Sequence, residues 1–255
     1  MTTDEAPYQR HLITHAEHPI AAPLSEESVA ALLRRALADR AGPVRLLDLG
    51  CGQAAWPLRA LAAHPTATAV GVDLDPGGLA HAAAEAARLG VADRLTLVTG
   101  DAAAFAAEAA HGAFDVVLSV GATHAFGGLA ATLAGAVARL APGGRLVLGE
   151  CFWEREPTPA ALTALGAEPA DFTDLAGLVA RCVEAGLTPV HGRVSTLDEW
   201  DDYEWCWTGS LAGWALDHPE HPKAAEAAAT AAEHRAGWLG GYRGVLGFAT
   251  LVLRG

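Results

Sequence analysis

From residue 44 to residue 150 the chain alternates short apolar runs, rich in Val and Leu, with longer alanine-rich stretches. The apolar runs predict strands near 44–49, 68–73, 94–99, 114–120 and 144–150. The alanine-rich stretches predict helices near 53–63, 76–89, 101–110 and 125–140. Strictly alternating strands and helices give a mostly parallel sheet with helices on both faces, so the pattern predicts a doubly wound α/β fold. A lead helix is expected over Ser25–Asp39: it follows Pro23 and Leu24, Ser25 can cap it, and Glu26 and Glu27 sit in its first turn. Pro142-Gly143-Gly144 closes a helix and starts a strand. Further on, a helix over Asp174–Ala185, a strand over Thr188–Thr196 and a final strand over Gly244–Leu253 complete the order.

Between the last two strands lies an insertion, residues 197–243, that holds five of the seven tryptophans. Trp200, Tyr203, Trp207, Leu211 and Trp214 fall within about an 80° arc at roughly 100° per residue, and so share one helix face. Such a stripe serves either as core packing or as an aromatic cap over a cleft. Asp198, Glu199, Asp201, Asp202 and Glu204 surround its start, where acids favour the helix dipole. Aromatics together with carboxylates could also receive a cationic amine.

The chemistry sits at the strand ends. Leu46-Leu47-Asp48-Leu49-Gly50-Cys51-Gly52-Gln53-Ala54 runs from a strand through a glycine turn into a helix, a device that brings backbone N–H groups close to a ligand. Dinucleotide folds hold a pyrophosphate this way, but Asp48, two residues before the first glycine, would repel a phosphate and attract a cation. S-adenosylmethionine carries a sulfonium and an ammonium, and no phosphate. Asp73 ends the second strand, where a carboxylate can grip both ribose hydroxyls. Asp101, after the third, suits an adenine amino group.

This succession, with Phe114–Gly121 as fourth strand and Leu140–Glu150 as fifth, resembles the class I S-adenosylmethionine-dependent methyltransferases, by motif over about 44–150. The flanking segments Val120–His124 and Gly149–Trp153 look like a little-characterised subgroup of small bacterial methyltransferases. The resemblance implies a Rossmann-like, seven-stranded sheet whose last strand inserts antiparallel. It implies that Asp48, Gly50, Cys51, Gly52 and Gln53 line the methionine end of the cofactor, that Asp73 and Leu74 meet the ribose, that Asp101 and Ala102 face the adenine, and that Ser119 lies under the methionine portion. Gln53 and Ala54 depart from the usual pattern, which has another small residue and a glycine there.

Read as one domain over 1–255, the chain divides into an N-terminal lid and helix (1–43), a cofactor-binding core (44–196), an aromatic-rich helical cap (197–243) and the last strand (244–255). His124, just past the fourth strand, lies on the rim where α/β proteins bind ligands and is the candidate catalytic base. Glu150, Trp153, Tyr203 and Trp207 join His124 as candidate substrate-pocket residues. Methyl transfer to an O or N atom of a small aromatic or heteroaromatic molecule is the expected reaction. An NAD(P)-dependent oxidoreductase, since 50–55 can be squeezed into G-x-G-x-x-A, and a non-catalytic cofactor-binding protein are the alternatives.

Composition removes some partners. The 51% hydrophobic content over 255 residues supplies a substantial core, and 17 Lys and Arg against 30 Asp and Glu argue against a nucleic-acid groove. No signal peptide or membrane span is expected. Cys51, Cys151, Cys182 and Cys206 form no C-x-x-C pair, which suits a reducing cytoplasm, and a monomer or homodimer is expected. His11 and His15 are one helical turn apart, yet no fixed metal-ligand motif is present, so no metal is expected and the segment reads as a lid or an ordinary terminus.

Overall fold

The structure, a computed structural model, describes residues 8–38 and 42–255. A seven-stranded sheet forms the centre: β1 (Val44–Leu49), β2 (Ala67–Asp73), β3 (Leu95–Thr99), β4 (Phe114–Val120), β5 (Leu140–Trp153), β6 (Thr188–Val194) and β7 (Leu246–Arg254), in the order β3-β2-β1-β4-β5-β7-β6. The first five strands are parallel, and β7 inserts antiparallel between β5 and β6. Strand order reverses between β1 and β4, and a doubly wound sheet binds its ligands at that crevice, beyond the carboxyl ends of the strands.

Helices cover both faces. On one lie α2 (Glu26–Ala36), α3 (Ala55–Ala63) and α4 (Pro76–Arg88), whose Leu32, Leu61 and Leu79 pack with Leu46, Leu118 and Val147. On the other lie α5 (Ala102–Glu108), α6 (Leu129–Arg139) and α8 (Leu175–Glu184), whose Ala106, Leu133 and Leu178 pack with Leu47, Val117 and Leu148. The odd and even residues of each strand feed different cores because strand side chains alternate. The starts are capped as the sequence suggests: Ser25 accepts the Ser28 N–H, and Asp174 accepts the Gly177 N–H. The expected end of the lead helix, Asp39, lies outside the described residues, as do 1–7 and 40–41 of the N-terminal segment.

Three elements differ from the pattern. β5 begins at Leu140, which already pairs with Phe114, and a register shift between Phe114 and Val116 absorbs Pro142-Gly143-Gly144. α6 starts only at Leu129, because Gly127 and Gly128 take positive φ after a 3₁₀ turn over Thr123–Phe126. A short helix, α7 (Pro159–Leu165), was not expected, although Thr158 caps it and Pro159 opens it.

The insertion folds as α9 (Leu197–Asp217) and α10 (Ala224–Gly237), followed by a π-turn over Trp238–Tyr242. Thr196 and Glu199 form a capping box at the start of α9. A short N-terminal helix, α1 (Arg10–Thr14), rests on α9: Tyr8 meets Trp214 at 4.8 Å between ring centroids, and Ile13 packs on the cluster of Leu211, Ala215, Ala227 and Ala231.

Candidate active site

Beyond the ends of β1 to β4 lies a cavity of about 350 Å³. Its floor is the turn after β1, with Asp48, Gly50, Cys51 and Gly52. One side is Asp73, Leu74, Gly100 and Ala102 from the ends of β2 and β3. The opposite side is Val120, Gly121, Ala122 and His124 after β4, with Trp56 from α3. The ceiling is the chain's own N-terminal segment: His11, His15, Pro19, Ile20 and Ala21.

The turn is fixed by backbone. Gly50 and Cys51 both donate to the Val72 carbonyl, at 2.9 and 3.0 Å, and the Gly52 N–H donates to Asp73 Oδ2 at 2.7 Å. Asp73 Oδ1 accepts the Asp75 N–H at 2.9 Å, so this carboxylate holds its own loop while facing the cavity. Gly50 has φ +82°, and a Cβ there would lie 2.5 Å from the Ala122 Cβ. Only glycine permits that approach. Ala54, where a glycine is usual, nevertheless adopts the left-handed conformation (φ 54°, ψ 32°) at the start of α3.

Electrostatics separate the buried acids and thiols. Asp48 is 3% exposed, and burial followed by the charge of Asp73 pushes its pKa up to about 8. Burial and the carboxyls of Asp48 and Asp73 hold the Cys51 thiol far above its ordinary range, so it is no nucleophile at neutral pH. Glu150, also buried, is raised by desolvation and drawn partly back by a hydrogen bond to Thr123, by the Cys151 N–H and by nearby His124.

A family model described as a methyltransferase domain matches residues 47–146, the stretch that builds this floor and both sides. YjhP of Escherichia coli (strain K12), itself uncharacterised, is 33% identical over 216 residues, 84% of this chain and 85% of that protein. Its crystal structure superposes with a TM-score of 0.85 at 29% identity, covering 96% of this chain and 99% of that one. A S-adenosylmethionine-dependent methyltransferase from Thiobacillus denitrificans, solved with S-adenosyl-L-homocysteine, gives a TM-score of 0.85 at 30% identity over 96% of this chain and 98% of that chain. One from Geobacter sulfurreducens, in the same complex, gives 0.85 at 29% identity with the same coverage. The chain belongs to the class I S-adenosylmethionine-dependent methyltransferases.

The methyltransferase's own residues fit the cofactor. A glycine turn opens into the cavity, a buried carboxyl short of cationic company lies at its floor, and an open approach remains above Gly100, where an added Cβ would touch nothing within 4 Å. The nicotinamide alternative and the non-catalytic alternative give way to this assignment. Among the described residues no group of three or more His, Cys, Asp or Glu is placed to hold a metal ion, and no helix is long and apolar enough to cross a membrane.

Several expected site residues are not brought to the cavity. Gln53 is buried beside a different hollow, with Leu58, Arg59 and His81, because the turn carries it behind the loop. Asp101 is exposed and caps α5 through the Ala104 N–H at 2.7 Å, so its neighbours Gly100 and Ala102 supply that wall. Ser119 is fully buried on the Val117 face of the sheet, since strand alternation turns Val120 toward the cavity and Ser119 away. Glu150 stands behind His124 and does not line the wall. Trp153 lies edge-on to Phe172 and donates its indole N–H to the Pro169 carbonyl, in the core.

The aromatic stripe likewise turns into the protein. Trp207 stacks on His234 at 4.0 Å, and His234 Nε2 lies 2.7 Å from Glu204 Oε2 while the Tyr242 hydroxyl donates to Glu204 Oε1 at 2.7 Å. Tyr203 packs against His15 and His18, so it supports the ceiling from behind and does not face the cavity. A cationic-amine site at the start of α9 has no acid to spare for it in Glu199, Asp201 and Glu204. Glu199 accepts from Ser25, Ser28 and Thr196 and pairs with Arg193, Asp201 pairs with Arg243, and Glu204 is held as just described. What the sequence pattern did not single out is the contribution of Trp56 and of Pro19-Ile20-Ala21. The signal was faint: Pro19 only breaks a helix, and Trp56 reads as core.

Proposed function

We propose that this methyltransferase moves the methyl group to an O or N atom of a small aromatic or heteroaromatic molecule. The observation that supports this is the ceiling: His11, His15, Pro19, Ile20 and Ala21 of the same chain overhang the cavity, an arrangement that favours a small acceptor over a polymer. A wall made from the Trp56 indole and the imidazoles of His11, His15 and His124 favours a flat ring. The net charge of −13 agrees with a partner other than nucleic acid. The four free cysteines suit a reducing cytoplasm.

When bound, the cofactor supplies an electrophilic methyl on a sulfonium, whose S–C electron pair stays on sulfur. Asp73 and Leu74 would receive the ribose, Gly100 and Ala102 the adenine, and Asp48 with Gly50 and Gly52 the methionine end. His124 takes the proton that the acceptor O–H or N–H gives up as its lone pair forms the new bond. Residues 8–22 act as a lid, aligning the acceptor and excluding water, which is most of what an in-line displacement needs.

The test is methyl-labelled S-adenosylmethionine offered in parallel to phenols, catechols, indoles, heteroaromatic amines, bulk RNA and protein. Label should leave with a small molecule, and His124→Ala should lower kcat by about 10²- to 10⁴-fold with S-adenosylhomocysteine affinity unchanged. Label found only in RNA or protein would overturn the small-molecule reading.

A further inference from the structure

Three histidines lie in eight residues of the N-terminal segment, and they are not equivalent. His11 reaches over the glycine turn, its Nε2 3.7 Å from where a Gly52 Cβ would stand. His15 is 6% exposed, lies against His11 at 4.4 Å between centroids with the rings tilted by 38°, and is backed by Tyr203 at 6.1 Å. His18 lies edge-on to the same tyrosine and does not line the cavity.

Hydrogen bonding fixes the state of His15. Its Nδ1 lies 3.0 Å from the His11 carbonyl and 3.0 Å from Thr14 Oγ1, while the Thr14 hydroxyl can itself donate to the Arg10 or His11 carbonyl. A carbonyl only accepts, so Nδ1 carries the proton. A neutral ring protonated at Nδ1 has a lone pair on Nε2. Burial first, and neighbouring His11 next, push the pKa of His15 down to about 4, so the ring is neutral throughout the physiological range. Its Nδ1 edge is turned back into the lid, and the ring is among the residues that line the cavity.

We propose that His15 is an acceptor-binding residue: its Nε2 lone pair receives a hydrogen bond from the nucleophilic O–H or N–H of the methyl acceptor and aims that atom. This rests on the small-molecule reading above and narrows it, because the acceptor must then be a neutral molecule bearing a hydrogen-bond donor at the atom that is methylated. The fully methylated product atom of an ether has no such donor, so the same contact lets product go. His15 holds that hydrogen before the reaction and is too weak a base to keep it, so the proton leaves the Nε2 contact and passes to His124 once the new bond to the methyl carbon makes the atom acidic. Titratable groups near His15 are its partners on the lid, His11 and His18, and Tyr203 from α9.

Nitrogen-detected NMR on ¹⁵N-histidine protein saturated with S-adenosylhomocysteine tests the proposal without knowledge of the natural acceptor. At pH 7 His15 should show a protonated Nδ1 and a bare Nε2, and phenol or aniline should shift Nε2 while anisole, which lacks the donor, should not. A protonated Nε2, no shift with either donor, or an equal shift with anisole would overturn it. For any acceptor turned over in the labelling panel, His15→Gln keeps a polar group near the Nε2 position and should keep KM close to wild type. His15→Asn keeps only the Nδ1 position, and should raise KM roughly tenfold or more with unchanged S-adenosylhomocysteine affinity. A merely structural role in the lid predicts the reverse order of the two variants. Absence of small-molecule turnover by the wild type would sink the small-molecule reading, whereas the NMR result speaks to His15 itself.

Discussion

Binding of S-adenosylhomocysteine should release a proton, and Asp48 is the group that releases it. In the empty protein burial and Asp73 hold Asp48 near pKa 8, so at pH 7 it is roughly nine-tenths protonated. A fixed ammonium at the methionine end would lower that pKa by about 1–3 units. At the same pH the bound carboxyl is then about half protonated or less, and roughly 0.4–0.9 proton leaves per ligand. Titration calorimetry at pH 7 in phosphate and in Tris reads this directly, because the observed enthalpy changes by the proton number times the difference in buffer ionisation enthalpy. The sign also fixes the pH dependence: binding that expels a proton weakens as pH falls, by up to about tenfold per unit below pH 8. Asp48→Asn should bind more weakly and show no buffer dependence. A wild-type enthalpy identical in both buffers, or a variant with the wild-type slope, would refute the assignment.

Other expectations concern separate parts of the molecule. The hydrogen bonds from Ser28, Ser25 and Thr196 hold Glu199 down to about pKa 2, against burial, so its stabilisation is present above about pH 4.5 and is lost as pH falls toward 2. Glu199→Gln should therefore unfold more easily at pH 7, by on the order of 2 kcal/mol, and match wild type near pH 2 in denaturant titrations. Asp73→Ala should weaken S-adenosylhomocysteine binding by about 10- to 100-fold, measured by calorimetry, since it removes a ribose partner and frees the Gly52 N–H. Trp207→Ala should cost about 1–3 kcal/mol of stability, below a fully buried tryptophan because Trp207 is half-buried, with cofactor affinity retained at a temperature where the protein is folded; a selective loss of acceptor binding would instead return Trp207 to the site.

The succession of strands and helices along the chain, the glycine turn and the acid at the end of β2 were legible because each rests on local chemistry: alternation of apolar runs, φ freedom, a carboxylate at a fixed distance from a turn; the antiparallel last strand was implied by the resemblance. Side-chain facing was less so. Asp101 reads equally well as a ligand for an adenine amino group and as a helix cap; the structure shows the cap, with Oδ1 accepting the Ala104 N–H. Ser119 and Val120 differ by one residue and therefore by a whole face of the sheet. Tyr203 and Trp207 were found on one helical stripe as expected, but a stripe does not say what covers it, and here that is α1 and α10. The ceiling was hardest to read, since its residues act through contacts nearly two hundred positions away.

That ceiling also sets when the cavity can first exist. Tyr8 meets Trp214 across about two hundred residues of chain, and closing so long a loop carries an entropic cost that local contacts do not. A nascent chain that has emerged as far as β5 already carries the glycine turn, Asp48, Asp73 and the core on which Ile20 and Ala22 pack, yet it lacks the surface under Tyr8 and Ile13. Synthesis of α9 supplies that surface. The N-terminal part of the ceiling is thus completed only by residues made about two hundred positions later.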